Sequence, residues 1–232
     1  MERLSAAVVI SAALLCVAAA GCGKHEESHT AAPSGHRVVE NPSTFPLYPH
    51  SDLINVVPID SAQMFAAIRK ADPHADVQKN FRGHEVIAQN TATMAQLKTW
   101  LASLRTRPPA GLHLSEKHVD VNSGDGKKAS SLTIDGAEFD TPAKTRDVYV
   151  FVADPERVRA QLGVVFGLID SYAKVPQMLR GPIDDEAKQQ LGYTVTEMLD
   201  PKSPVGAAVT ALKQLQGTGH RAIVLVDTSQ TK

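Results

Sequence analysis

The chain contains very little cysteine: two of its 232 residues, Cys16 and Cys22, both near the amino terminus. From residue 23 onward the sequence therefore excludes a disulfide and a cysteine nucleophile. Neither sign of charge is in excess, since 24 Lys and Arg residues stand against 25 Asp and Glu residues. This balance does not predict a basic face for nucleic acid or for anionic lipid head groups. The folded part must then depend on a packed apolar core.

Two familiar catalytic motifs are also missing. The sequence has no Gly-x-Ser-x-Gly nucleophile motif and no glycine-rich phosphate loop. We therefore predict no catalytic residue, no metal and no cofactor, and expect a protein that is not an enzyme. A site assembled from distant segments is the alternative that this absence leaves open.

The amino terminus carries the most specific pattern of the chain. An uncharged apolar run at 4–20 follows Arg3, and small residues ending in Gly21 directly precede Cys22. An apolar run closed by small residues is typical of an export signal. With cysteine next, it resembles the signal of a bacterial lipoprotein precursor. That resemblance implies a signal peptide at 1–21, cleavage between Gly21 and Cys22, and a lipid anchor on Cys22.

Two other interpretations of this segment exist. An ordinary secretory signal would be cleaved near Ala20, and an uncleaved anchor would have to span the bilayer with the short run 4–20. Cys22 immediately after the small residues favours lipidation. By the sorting rule of some double-membraned bacteria, Gly23 favours the periplasmic face of the outer membrane over the inner membrane.

Residues 22–45 predict a flexible tether, because small, polar and charged residues dominate and large apolar ones are few. Residues 25–29 read H-E-E-S-H, which matches the H-E-x-x-H pattern of zinc metalloproteases. That chemistry needs a rigid helix and buried supporting residues, which this composition does not provide. We predict a solvated linker, with weak metal binding by His25, His29 and His36 as the alternative.

Residues 46–232 predict an α+β globular domain with helices layered on a mixed β-sheet. Strands are expected at 53–57, 84–90, 112–121, 129–135, 147–153 and 222–226, the last two central because they are apolar on both faces. Helices are expected after Asp60, after the Thr93–Gln96 capping box, from Asp154 and Pro155 to Tyr172, and at 183–191, 195–199 and 204–216. A loop-like stretch at 140–146 leaves open one domain or two small fused subdomains.

The folded part opens on the sequence L-Y-P-H-S at residues 47–51, followed by strand and helix patterns. This opening resembles the Tyr-Pro-Gly-Ala start of small domains in bacterial envelope lipoproteins of unassigned function. His50 stands in the place of Gly, and Ser51 in the place of Ala. The resemblance covers the first half of the folded part and implies an extracytoplasmic α+β module without a stated activity.

Two segments are similar to metal sites. Residues 120–126 are similar to a calcium loop, but the ligand and glycine places are wrongly filled, so we expect a hairpin turn. Residues 184–186 form an acidic cluster, and after Pro182 we expect them to complement the start of a helix. His113 and His118 lie five apart on an expected strand, so they point to opposite faces and are not a ligand pair.

The function we expect is a lipid-anchored cell-envelope protein that binds a protein or cell-wall partner and contacts the membrane through its lipid. An exposed apolar patch or groove would hold the partner, with Tyr48, Phe81 and Tyr172 as candidate contacts. One alternative is a small-ligand-binding transporter accessory with a closed apolar pocket. Another is an envelope hydrolase with ionisable residues clustered in a cleft.

Overall fold

The computed structural model describes residues 40–60, 81–116, 135–191 and 193–230, and the fold is α+β. Several predicted features lie outside the described residues: the signal with Gly21 and Cys22, the tether with His25, His29 and His36, the helix after Asp60, the segment 120–126, and His118.

The described strands form one six-stranded sheet. They are β1 (Asp52–Asp60), β2 (Phe81–Asn90), β3 (His113–Glu116), β4 (Asp135–Asp140), β5 (Arg146–Ala153) and β6 (Arg221–Gln230). Their order across the sheet is β1-β2-β6-β5-β4-β3, and every neighbouring pair is antiparallel. The sheet is therefore antiparallel throughout and not mixed, because the long helical connection after β5 returns the chain beside β5 in the opposite direction.

Six helices cover the sheet in the described part of the chain. They are α1 (Met94–Thr106), α2 (Pro155–Gln161), α3 (Gly163–Tyr172), α4 (Gln177–Leu191), α5 (Val195–Leu199) and α6 (Pro204–Leu215). Helix α1 packs on one face of the sheet, and α2–α6 form the layer on the other face. Within the described ranges, no helix has the length and apolar character needed to cross a bilayer.

The central strands β5 and β6 bury both of their faces. Val150 and Leu225 join the core beneath α1, whereas Phe151 and Val226 enter the core beneath the larger helical layer. This confirms the central position predicted for both strands from their apolar runs, since neighbouring residues of a strand point to opposite faces.

Local capping signals fix several helix starts as predicted. The Thr93 hydroxyl accepts from Gln96 N, and the Gln96 side chain accepts from Thr93 N at 2.8 Å, which completes the capping box of α1. Asp154 caps α2, with Pro155 at its first position. The single helix predicted up to Tyr172 is instead two, because Leu162 leaves helical geometry between α2 and α3.

Pro182 lies inside α4 and not at a helix start, so the role predicted for residues 184–186 is wrong. The residue before proline is Gly181, whose missing Cβ removes part of the clash that disfavours helical geometry there. Asp184 instead ties three helices together: it accepts from the Tyr172 hydroxyl at 2.6 Å and from the Thr196 hydroxyl at 2.7 Å.

Strand β3 pairs antiparallel with β4, and Leu114 lies opposite Phe139. Of the strands predicted at 112–121 and 129–135, residues 117–121 and 129–134 lie outside the described residues. Residues 141–145 then connect β4 directly to β5 within the same sheet. His113 is exposed on the edge strand β3.

Candidate binding cleft

The three strands β2, β6 and β5 each have an apolar stretch and a polar end on the face that carries α1. In β2, Arg82 and His84 precede the buried Val86 and Ala88. The polar ends of β6 and β5 are formed by Asp227, Ser229 and Arg146. Alternation along each strand places these five polar residues on the same face as the core beneath α1.

Strand register gathers these polar ends into two rows. His84 lies opposite Asp227, and Ser229 lies between Arg82 on one side and Arg146 on the other. Helix α1 packs over the apolar part of the sheet, where Leu97 and Leu101 contact the core with Ile223 and Leu225.

The segment that precedes β1 forms a wall beside these rows. Phe45 is buried and packs against Phe139, with 5.3 Å between ring centroids, which fixes the segment on the sheet. Just before it, Ser43 donates a hydrogen bond from its hydroxyl to Asp227. Ser43 and the neighbouring Thr44 thereby become part of the polar surface.

The wall and the strand ends enclose an open cleft with a volume of about 710 Å³. Its polar lining consists of Ser43, Thr44, Arg82, His84, Arg146, Asp227 and Ser229, and its remaining lining consists of Pro42, Pro58, Ile59 and Gly83. This volume is within the range of small-molecule sites. The cleft is, however, open and has a charged lining, whereas the pockets of small-ligand carriers are closed and apolar.

Asp227 is the carboxylate that lines the cleft, and its two oxygens hold Arg146. Arg146 Nε donates to Oδ1 at 2.8 Å, and Nη2 donates to Oδ2 at 2.6 Å. This hydrogen-bonded carboxylate raises the pKa of Arg146 above its ordinary value, so the guanidinium is permanently charged. Asp227 therefore positions a cation at the cleft.

Gly83 allows β2 and β6 to approach closely at the base of the cleft. A Cβ atom on residue 83 would lie 1.9 Å from the Asp227 carbonyl oxygen. Any larger residue would push the two strands apart and separate His84 from Asp227.

The aromatic residues predicted to contact a partner do not line this cleft. Phe81 and Tyr172 are each 3% exposed, so neither is the exposed docking contact that was predicted: Phe81 is buried at the start of β2, and Tyr172 ends the buried stripe of α3. Tyr48 is half-buried and packs edge-on against Trp100, with 5.8 Å between ring centroids.

A group of carboxylates lies on the opposite face of the sheet. Burial, with repulsion from Glu138 and Asp140, raises the pKa of Asp147 to about 6, and Lys144 partly offsets this. Lys144 pairs with Asp140, and the Tyr149 hydroxyl donates to Glu138 at 3.0 Å. Across the described ranges, no three His, Cys, Asp or Glu side chains are arranged to hold a metal ion.

The residues of the cleft are not recognisable from the sequence alone, because they come from distant segments. Arg146 and Asp227 are 81 positions apart, and no spacing rule connects them. The sequence does show polar residues at one end of each apolar strand pattern, but these identify a site only once the strand register is known.

No protein-family model, curated protein or solved structure matches this chain.

Proposed function

We propose that this protein is a lipid-anchored cell-envelope protein that binds an envelope partner through the cleft and does not catalyse a reaction. The observation that carries the binding function is the open, charged cleft between Arg82, Arg146 and the wall at Ser43. Charged side chains on an open surface suit a polar group presented by a larger partner, because such a group can enter while the rest stays outside.

The lipid anchor is supported by the sequence. Small residues directly before Cys22 form the signal pattern, and Cys22 is the one cysteine that follows the apolar run. Pro42, at the edge of the cleft, lies 20 positions after Cys22. As the tether predicted from the sequence, a chain of that length would have a root-mean-square reach of about 25 Å, so the anchor would hold the cleft close to the membrane. We place the protein at the periplasmic face of the outer membrane.

Two alternatives fit the cleft less well. A transporter accessory that carries a small ligand would need an enclosed apolar pocket, and this cleft is open and charged. A hydrolase would need a base to activate a hydroxyl, but Ser43 donates to Asp227, whose oxygens already accept from Arg146. His84 opposite Asp227 is the observation that keeps hydrolysis as the second candidate.

Metabolic labelling with radioactive palmitate tests the anchor. We expect label on the wild-type protein and on Cys16→Ala, and no label on Cys22→Ala, because lipid attaches to the cysteine after the small residues. Cys16→Ala is the matched control, since it removes a thiol from the same signal region. Label on Cys22→Ala would refute lipidation at this residue.

Site-specific photocrosslinking in cells tests binding at the cleft. A photoreactive amino acid at Thr44, which is exposed and lines the cleft, should give a discrete adduct with one partner. The same amino acid at Lys174, which is exposed on the helical layer and does not line the cleft, should not give this adduct. Identical adducts from both positions, or none from Thr44, would contradict the proposed function.

A further inference from the structure

The first turn of α4 leaves two large apolar side chains exposed next to each other. Met178 is 84% exposed, and Leu179 is 52% exposed. Pro176 before this turn and Pro182 after it are exposed as well. Residues 174–182, which we call the α4 tip, therefore present an apolar surface whose removal from water would be favourable.

The α4 tip is held in a fixed shape by one arginine. Arg180 Nε donates to the Val175 carbonyl at 3.0 Å, and Nη2 donates to the Ala173 carbonyl at 3.1 Å. The same guanidinium lies over the ring of Tyr172, with 5.3 Å between Cζ and the ring centroid. The apolar surface is therefore preorganised, and docking would not have to order the chain that carries it.

The α4 tip is also positively charged. Lys174 and Arg180 are its ionisable residues, and no acidic residue occurs from 171 to 183. The acids that flank this stretch, Asp170 and Asp184, are held by side chains of other helices. Cations beside exposed apolar side chains are typical of a surface that meets anionic lipid head groups.

Acidic residues limit which part of α4 can approach a bilayer. Asp185 and Glu186 are exposed and lie seven positions after Met178 and Leu179, which is about 10 Å further along the helix. Anionic head groups would repel the side of α4 that carries these acids. The amino-terminal end of α4 is therefore the part that suits a membrane, through shallow insertion of its two apolar side chains.

We propose that the α4 tip docks on an anionic phospholipid bilayer, with Met178 and Leu179 inserted at the level of the head groups. This inference rests on the proposed function, because the lipid anchor on Cys22 keeps a bilayer within reach. A bilayer fits better than a protein, since a stable protein interface takes about 20 residues from each partner and the tip offers far fewer.

The tether is long enough for this orientation. The α4 tip belongs to the helical layer, whereas the cleft and Phe45 lie on the other face of the sheet. Glu40 lies 18 positions after Cys22, and a chain of that length spans at most about 60 Å. Two helical layers with a sheet between them are about 30 Å thick. The anchor can therefore reach the bilayer beneath the tip, and the cleft would stay open to an envelope partner.

Quenching of tryptophan fluorescence by brominated phospholipids tests this proposal. Full-length Met178→Trp is reconstituted in vesicles of phosphatidylethanolamine and phosphatidylglycerol whose acyl chains carry bromine near the head group. The added tryptophan should be quenched, because insertion brings it into contact with the bromine atoms. Val164→Trp is the matched control, since Val164 is exposed on α3 outside the tip, and its tryptophan should stay unquenched. Wild-type protein, with Trp100 alone, gives the background.

A charge substitution in the Met178→Trp protein tests the contribution of the cations. Lys174→Gln should lower the ratio of inserted to free tips about fivefold, because a cation close to an anionic surface loses its attraction. Arg157→Gln is the control, since Arg157 is exposed on α2 and its loss changes the net charge equally. Equal effects of the two substitutions would overturn the proposal. Quenching of Met178→Trp no stronger than that of Val164→Trp would also overturn it, and is the result expected if a protein covers the tip.

Palmitate labelling separates this proposal from the proposed function. A labelled protein whose Met178→Trp variant is not quenched would uphold the anchor and remove the membrane contact of the tip. Quenching of Met178→Trp in a protein that is not labelled would uphold the membrane contact and remove the anchor.

Discussion

Arg146 and Asp227 are 81 positions apart in the chain and form two parallel hydrogen bonds between the neighbouring strands β5 and β6. The Nε–Oδ1 distance is 2.8 Å, and the Nη2–Oδ2 distance is 2.6 Å. A paired guanidinium and carboxylate of this kind are geometrically specific, because both planes are fixed at once. The pair consequently sets the position of one cation in the cleft and joins the polar ends of two central strands.

Asp227→Ala should lower the free energy of unfolding by about 2–3 kcal/mol, measured by urea denaturation at pH 7. The substitution removes the carboxylate from a pair whose Arg146 and Asp227 side chains are 24% and 11% exposed. It also leaves Ser43 without its acceptor. Loss of a hydrogen-bonded partner from a largely buried charge is costly, because water cannot fully replace it.

Asp135→Ala is the control for this substitution. Asp135 pairs with Lys98 at 3.0 Å, and the side chains of Lys98 and Asp135 are 51% and 28% exposed. Solvent screens such a pair, so its loss should cost less than about 1 kcal/mol. If both substitutions cost the same, Asp227 has no special part in stabilising the fold.

Sequence predicted the elements of this fold more completely than their arrangement. The Thr93–Gln96 capping box and the Asp154 cap each join residues that lie within four positions of one another, so both can be recognised in the sequence. The apolar runs of β5 and β6 were sufficient to predict central strands. The cleft depends on Arg82, Ser229 and Arg146 meeting in one row, and only strand register creates that row.

Glu85 makes the stability of the protein depend on pH. Its side chain is 2% exposed, and burial raises its pKa from 4.5 to about 8. Between these two values the native state holds a proton that the unfolded state releases, so stability falls as the pH rises through this window. Glu85→Gln mimics the protonated form and should remove a loss of about 3–5 kcal/mol between pH 4.5 and pH 8. Urea denaturation of the wild type and of Glu85→Gln at pH 5 and pH 8.5 measures this loss of stability. A Glu85→Gln profile parallel to that of the wild type would disprove the effect assigned to Glu85.

Asp184→Asn should show the opposite pH dependence. Burial acts to raise the pKa of Asp184, but hydrogen bonds from Tyr172 and Thr196 outweigh it and lower that pKa. The stability that the ionised form provides is present above the ordinary pKa of an aspartate and is lost as the pH falls through the lowered value. Asp184→Asn should therefore destabilise the protein at pH 7 in urea denaturation, and this cost should shrink as the pH falls through the lowered pKa of Asp184.

Gly206 and Gly167 allow a test of close packing in two helices. A Cβ atom on residue 206 would lie 2.0 Å from the Asp200 carbonyl oxygen, whereas a Cβ on residue 167 would meet nothing within 4 Å. Gly206→Ala should destabilise the protein by about 1–3 kcal/mol, because the backbone between α5 and α6 must move. Gly167→Ala should stabilise it by about 0.5–1 kcal/mol through better helix propensity. Thermal denaturation that ranks the two variants in the reverse order would contradict this packing.

His50→Gly should stabilise the protein by about 0.5–1 kcal/mol, which urea denaturation can measure. His50 has a φ of +59°, in the left-handed region that a Cβ atom disfavours, and its side chain is exposed. The turn keeps its bonds without this side chain, since Ser51 N donates to the Tyr48 carbonyl at 3.2 Å. His113→Gly is the control, because His113 is exposed in the extended strand β3. There glycine should instead lower the free energy of unfolding by about 0.5–1 kcal/mol. A loss of stability in both variants would show that backbone strain at His50 is negligible.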